Sequence, residues 1–305
     1  MLPPHWRWKL NRYRERLRGV LQQTFRQEPK PRVCFNCGRL VGALEKVCSS
    51  CGTSQSAVSF SVFKRLSLSV IPDQNPVTYA LLFANLLFLI VAWLITVQGG
   101  GGTGGLFNQL DNRVLFLLGA KHGGRIFYLH EYWRLVMPIF LHGGVIHFGF
   151  NSFVLWQVGP QAEELFGSAR FLFLYLATGV LGFVASALWY PLVVISVGSS
   201  GSIFGLIGVL IGYITQRSGF ASEYRTSLVR WTIYIFIIGL FLGADNAAHL
   251  GGLVSGLVLG RLVSARRPVT AAARFRVGLM GWGSALVILW SVVMVLLNLP
   301  AAPAS

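Results

Sequence analysis

Two short segments of this 305-residue chain carry residue types suited to nucleophilic catalysis. GSSGSIFGLIG, residues 198–208, sets Ser200 in a Gly-x-Ser-Gly form. Gly198 and Gly201 allow a sharp backbone turn and leave the hydroxyl uncrowded. A helix starting near Ser200 would also aim its free N–H groups at a developing oxyanion. Downstream, AHLGGLVSGLVLG opens with His249, and Gly252, Gly256 and Gly260 follow on the same helical face. Phe204, Gly208 and Gly212 fall near the face of Ser200. Stripes of small residues let two helices approach closely, which would bring the serine hydroxyl to an imidazole able to act as general base. Each signal is weak alone, because a serine in a membrane helix usually bonds its own backbone. His147 and Asn151, four residues apart, share a helical face and can both donate hydrogen bonds. Asp245 lies one turn before His249, but Asp245-Asn246 reads as a helix N-cap rather than as a third catalytic group.

A different chemistry sits near the N-terminus. Cys34 and Cys37, then Cys48 and Cys51, form two Cys-x2-Cys pairs that hold all four cysteines of the chain. Such pairs place two thiolates each on tight turns, so four sulfurs can meet tetrahedrally around Zn2+. Four thiolates leave no open position for water, so the expected zinc is structural. A pair of disulfides is the bland alternative, disfavoured if this segment is cytoplasmic.

Composition says what must position these groups. Residues are 54% hydrophobic and 12% charged, where a soluble domain carries about 25% charge. The stretches 171–216, 231–244, 246–260 and 277–305 hold no acidic side chain and no lysine. Seven membrane spans are expected, near 76–97, 142–159, 171–190, 200–216, 228–244, 246–263 and 277–299; the short ones suit a packed bundle. Net charge is +16, yet basicity tracks topology: grouped by alternate sides of these spans, 22 of 26 Lys and Arg fall on the N-terminal side. By the positive-inside rule the N-terminus is cytoplasmic and the C-terminus external. That distribution argues against nucleic acid as a partner. The segment 1–32 lacks the apolar core of a cleaved leader, and within it His5–Phe25 reads as a basic amphipathic helix. His5, His122 and His130 read as surface residues.

Taken together, GSSGSIFG and AHLGGLVSG, preceded by YWR, FLHGGVIHFGFN and EELFG, resemble the rhomboid family of intramembrane serine proteases over about residues 76–263. The resemblance implies a Ser–His dyad with Ser200 as nucleophile and His249 as general base, then general acid. It implies an oxyanion hole from the Ser200 N–H with the side chains of His147 and Asn151. Trp133 and Arg134 match a pair that anchors the external loop in the lipid interface. Glu163, Gly167 and Tyr175 match a packing motif on the cytoplasmic side, His142 a packing position, and Phe204 an aromatic that stacks on His249. No catalytic cofactor is implied.

The expected fold is thus an all-α polytopic membrane protein, a six-helix rhomboid core with a seventh C-terminal helix and a small four-cysteine zinc ribbon. Its parts are a basic segment (1–30), the zinc module (31–54), a linker (55–75), the core (76–263) and a basic linker with the last helix (264–305). Expected partners are transmembrane protein substrates, the lipid bilayer and an unknown cytoplasmic partner of the ribbon. The expected setting is a bacterial inner membrane, with the active site opening outward. A client-binding relative without proteolysis is the alternative, and it would have lost Ser200 or His249.

Overall fold

The computed structural model describes residues 32–33, 40–42, 45, 48–50, 75–98, 110–215, 221–241, 243–266 and 268–299. They belong to two units, Met1–Ser69 and Val70–Ser305. In the first, β1 (Arg32–Val33) and β2 (Leu40–Val41) pair antiparallel, with Arg32 opposite Val41 and Val33 opposite Leu40. Val41 and Cys48 are buried together. Cys34, Cys37 and Cys51 lie outside the described residues, as does the basic segment with His5.

The second unit is helical. Its elements are α1 (Pro76–Gln98), α2 (Asn112–Leu117), β3 (Lys121–His122), α3 (Gly123–Leu129), two 3-10 turns (Tyr132–Leu135 and Met137–Ile139), α4 (Val145–Phe166) and α5 (Ser168–Trp189). There follow β4 (Ile195–Ser196), α6 (Ser200–Ile214), α7 (Ala221–Phe241), α8 (Asn246–Leu262) and α9 (Ala271–Asn298). Three of the helices, α1, α5 and α9, are long and apolar enough to cross a membrane, and α6 is a shorter apolar helix. The chain is an integral membrane protein.

Helix α6 is the centre of the unit, with every residue from Gly201 to Gly212 buried. At about 1.5 Å per residue it is roughly 22 Å long, short of a hydrocarbon core of about 30 Å. Its neighbour α8 lies against it along glycines. A Cβ at Gly252 would stand 2.0 Å from the Gly201 carbonyl oxygen, and one at Gly256 2.0 Å from that of Gly205. Gly208 and Gly212 answer from the other side, each 2.4 Å from a carbonyl of α8 by the same measure. Side-chain volume is absent at these crossings because backbone fills the space. Leucine, valine and phenylalanine from α4, α5 and α6 complete the core around Leu155, Leu174, Phe171, Leu206 and Val209.

One carboxylate ties the start of α1 to the α4–α5 corner. Glu163 accepts from the Val77 and Thr78 amides at 3.0 and 2.8 Å, from the Thr78 hydroxyl at 2.7 Å and from the Ser168 hydroxyl at 2.6 Å. It thereby satisfies N–H groups that a helix start leaves without intrahelical acceptors. Gly167 turns the corner with φ 79°, a conformation that favours glycine. Tyr175 is fully buried in the core behind it.

The segment between α1 and α4 is folded around Arg134. Its guanidinium donates to the carbonyls of Phe116 and Ala120 at 2.8 and 3.1 Å, pairs with Glu131, and lies over the rings of Phe116 and Trp133. Trp133 and Arg134 are 1% and 3% exposed. Both side chains are packed inside the protein, where the loop's carbonyls need a buried donor and Arg134 supplies it.

Candidate active site

The site is assembled where the N-termini of α6 and α8 meet. Gly198 takes φ 131°, strained for any residue with a Cβ, and a Cβ there would also lie 2.8 Å from His147 Nε2. Its N–H donates to the Pro138 carbonyl at 2.9 Å, holding the turn that delivers Ser200 as the first residue of α6. Asp245 caps α8, with Oδ1 accepting from the Ala248 amide at 2.9 Å and Oδ2 from the Ser186 hydroxyl. Both its oxygens are thus engaged away from the imidazole, in keeping with an N-cap.

Close packing of the two helices brings the serine and histidine together: Ser200 Oγ lies 2.8 Å from His249 Nε2. The other ring nitrogen, Nδ1, is 3.0 Å from Asn246 Oδ1. An amide oxygen only accepts, so Nδ1 carries the proton and Nε2 is left bare to accept from the serine hydroxyl. Phe204 stacks on the His249 ring, with centroids 4.4 Å apart and planes 11° apart. His249 is 4% exposed.

Across the turn, α4 presents His147 and Asn151 toward Gly198. His147 Nδ1 accepts from the Gly143 amide at 3.3 Å, so its Nε2 is the protonated, donating nitrogen. Asn151 Nδ2 is buried without a protein partner. Two donors therefore face the first residues of α6, where amide groups are also free. His142 is buried, its Nε2 3.4 Å from Ser199 Oγ and its ring edge-on to His147 at 5.4 Å. It stands behind the site rather than in it.

Sequence reasoning missed Asn246 as the partner of His249, although its place three residues before the histidine was a usable signal. It also missed Lys121 and Asn85, each fully buried. His122, expected at the surface, is only partly exposed: its Nδ1 accepts from the Arg125 amide at 3.3 Å and so caps α3. His130 is exposed, in the left-handed conformation that ends α3. Among the described residues no cluster of three or more His, Cys, Asp or Glu could hold a metal.

This geometry defines a helical membrane protein with a close Ser–His pair beside amide donors. Residues 129–266 match the family model described as Rhomboid domain. The chain is 37% identical over 199 residues to Rhomboid protease GluP of Bacillus subtilis, a match covering 63% of this chain and 36% of that one. It is 34% identical over 134 residues to the Putative rhomboid protease YdcA of the same organism, covering 43% and 67%. With Rhomboid-type serine protease 2 of Emericella nidulans it shares 34% over 152 residues, covering 49% and 30%. The chain belongs to the rhomboid family. It spans about a third of the length of the first and third of these relatives and two thirds of the second.

Proposed function

We propose that the chain is an intramembrane serine endopeptidase that cleaves transmembrane helices of other membrane proteins. The observation that carries the reading is the 2.8 Å contact from Ser200 Oγ to His249 Nε2, with Nδ1 held by Asn246. In the first step Ser200 Oγ attacks the scissile carbonyl carbon as its proton passes to His249 Nε2. Negative charge develops on the carbonyl oxygen, where the Ser200 amide, His147 Nε2–H and Asn151 Nδ2 donate. The tetrahedral intermediate collapses, His249 returns the proton to the departing amine, and an acyl-Ser200 ester remains. Water deprotonated by His249 then hydrolyses the ester. Asn246 takes no proton; it keeps the imidazole in the tautomer that accepts from serine, the part a third group plays in other hydrolases.

Six core spans and a seventh are assigned to α1 and α4–α9, with the N-terminus cytoplasmic and the site opening to the outer face of a bacterial inner membrane. A substrate helix has to unwind locally, because its own backbone hydrogen bonds otherwise hide the carbonyl. The four cysteines are assigned to one structural Zn2+. Their spacing supports this, as does the position of the first pair between two antiparallel strands, with Cys48 buried against Val41. Zinc supplies folding energy to a module too small for a core. Which cytoplasmic partner the module serves is left to experiment.

The test is cleavage of a model transmembrane substrate by the purified chain in detergent or liposomes. Ser200→Ala and His249→Ala should each abolish turnover. Asn246→Ala should lower kcat by about 10- to 100-fold with binding retained, the scale of a lost supporting contact. Client binding without cleavage by wild type would favour the non-proteolytic alternative. Metal analysis under reducing conditions should return one zinc per chain, lost in Cys48→Ser.

A further inference from the structure

Beyond Lys64, arginine stands at every Lys or Arg position of the chain except 121. That one lysine is 0% exposed, although its strand belongs to the segment between α1 and α4. Lysine is rarely buried without partners, so its surroundings should show what holds it.

Two contacts do. Lys121 Nζ donates to the Val194 carbonyl at 3.2 Å, and the ammonium lies 5.7 Å from the centre of the Tyr190 ring. The charge of Asp245 acts on it from beyond ion-pair distance. Burial pulls the ammonium's pKa below the usual lysine value, and Asp245 offsets part of that shift.

Each partner leads to one half of the candidate site. Val194 precedes β4, whose ladder with β3 sets Lys121 opposite Ser196 and His122 opposite Ile195. The Gly124 amide adds a bond to the Leu192 carbonyl at 2.9 Å. Four residues after Ser196 the chain reaches Ser200. Tyr190 follows α5, its amide donating to the Ser186 carbonyl at 3.0 Å, and the Ser186 hydroxyl donates to Asp245, which caps α8 through the Ala248 amide. His249 follows one turn later. A compact ammonium can serve the carbonyl and the ring at once, which the planar fork of arginine does less readily.

We infer that Lys121 is a positioning residue: it clasps the loop that delivers Ser200 to the end of α5, whose Ser186 hydroxyl holds the Asp245 cap of the helix that bears His249. Helices α6 and α8 are already locked along their lengths by the glycine crossings, but those begin at Gly201 and Gly252. The clasp governs the outer ends, where the two reacting side chains stand. It acts through Ser200 and His249 and touches neither.

The inference rests on the protease reading, and the experiment separates the two. Steady-state cleavage is measured for wild type, Ser200→Ala, Lys121→Met, Asp245→Asn and the Lys121/Asp245 double variant. Methionine keeps the apolar stem without the charge, and asparagine still caps a helix. Lys121→Met should lose about 10- to 100-fold in kcat, the scale of a displacement near 1 Å, with KM within about 2-fold. Asp245→Asn should show the same split, and the double variant should be little worse than either single one. A merely structural role would instead reduce the folded fraction and leave kcat per folded molecule unchanged. Full kcat in folded Lys121→Met overturns the clasp, as does full kcat in Asp245→Asn. Should Lys121→Met not fold, Asp245→Asn decides by the same criterion. Activity surviving in Ser200→Ala would defeat the protease reading instead.

Discussion

Glycine plays opposite parts in two regions of this protein. Between α6 and α8 it is a spacer: Cβ atoms at Gly252, Gly256 and Gly260 would stand 2.0 to 2.2 Å from facing carbonyl oxygens. In α9 the same residue recurs at 278, 281 and 283, and a Cβ at Gly278 or Gly283 would meet nothing within 4 Å. The first set lets two helices lie backbone to backbone and so brings a hydroxyl to an imidazole. The second leaves α9 peripheral, with Phe275, Leu279, Trp282, Leu286, Leu296 and Leu297 exposed. A glycine stripe in sequence therefore does not disclose which helix it serves; the facing backbone does.

The sharpest way to break this contrast is Gly256→Ala. The added methyl collides with the Gly205 carbonyl, and neither backbone can rotate out of the way, so the helices must part. A shift near 1 Å at Ser200 should cost about 100-fold in turnover, with about 1–3 kcal/mol of stability lost to overpacking. Cleavage assays and thermal unfolding read the two effects separately. Wild-type turnover in this variant would mean that the crossing does not set the site.

Gly281 is the intermediate case. Its Cβ would lie 2.8 Å from the Ala169 Cβ on α5, a side chain rather than a carbonyl. Gly281→Leu should lower the unfolding midpoint by an amount equivalent to about 1–3 kcal/mol and leave kcat of the folded fraction intact. A fall in kcat would show that α9 reaches the site.

How far the sequence disclosed this site depended on whether a group's partner lay nearby in the chain. Ser200 and His249 were legible because each opens a helix and each helix carries its own small-residue stripe. His147 and Asn151 were legible as an i, i+4 pair. Lys121 was not, since its carbonyl partner is 73 residues away and a lone lysine in an external loop ordinarily looks solvated. The burial of Trp133 and Arg134 was hidden for the same reason: the carbonyls Arg134 satisfies belong to Phe116 and Ala120, which no local pattern links to it. Helix α4 runs on to Phe166, past the expected end near 159. Glu163 pins that last turn from within.

The segment between α1 and α4 adds a pH dependence that neither glycine set shares. His122 Nδ1 accepts the Arg125 amide as the cap of α3, and burial, with Arg134 next in effect, lowers its pKa from 6.5. The folded state thus binds fewer protons than the unfolded one, so stability falls as pH drops below about 6.5 and levels off below the folded value. Hydrogen exchange of residues 123–129 should quicken between pH 7 and 5. His122→Asn retains an acceptor at the cap without a titrating ring, and should flatten that response. The same acceleration in this variant would assign the change to another group.

The smallest effect belongs to Gly278 and Gly283. Replacing both with alanine adds methyls that meet nothing and removes backbone freedom that the unfolded chain would otherwise regain. Helix propensity then favours the variant by up to about 1 kcal/mol per site. The expected result is an unfolding midpoint unchanged or raised, with turnover equal to wild type. A midpoint clearly lowered would mean that some partner of α9 outside this chain needs those two open positions, and the contrast between the regions would have to be redrawn as two interfaces of different ownership.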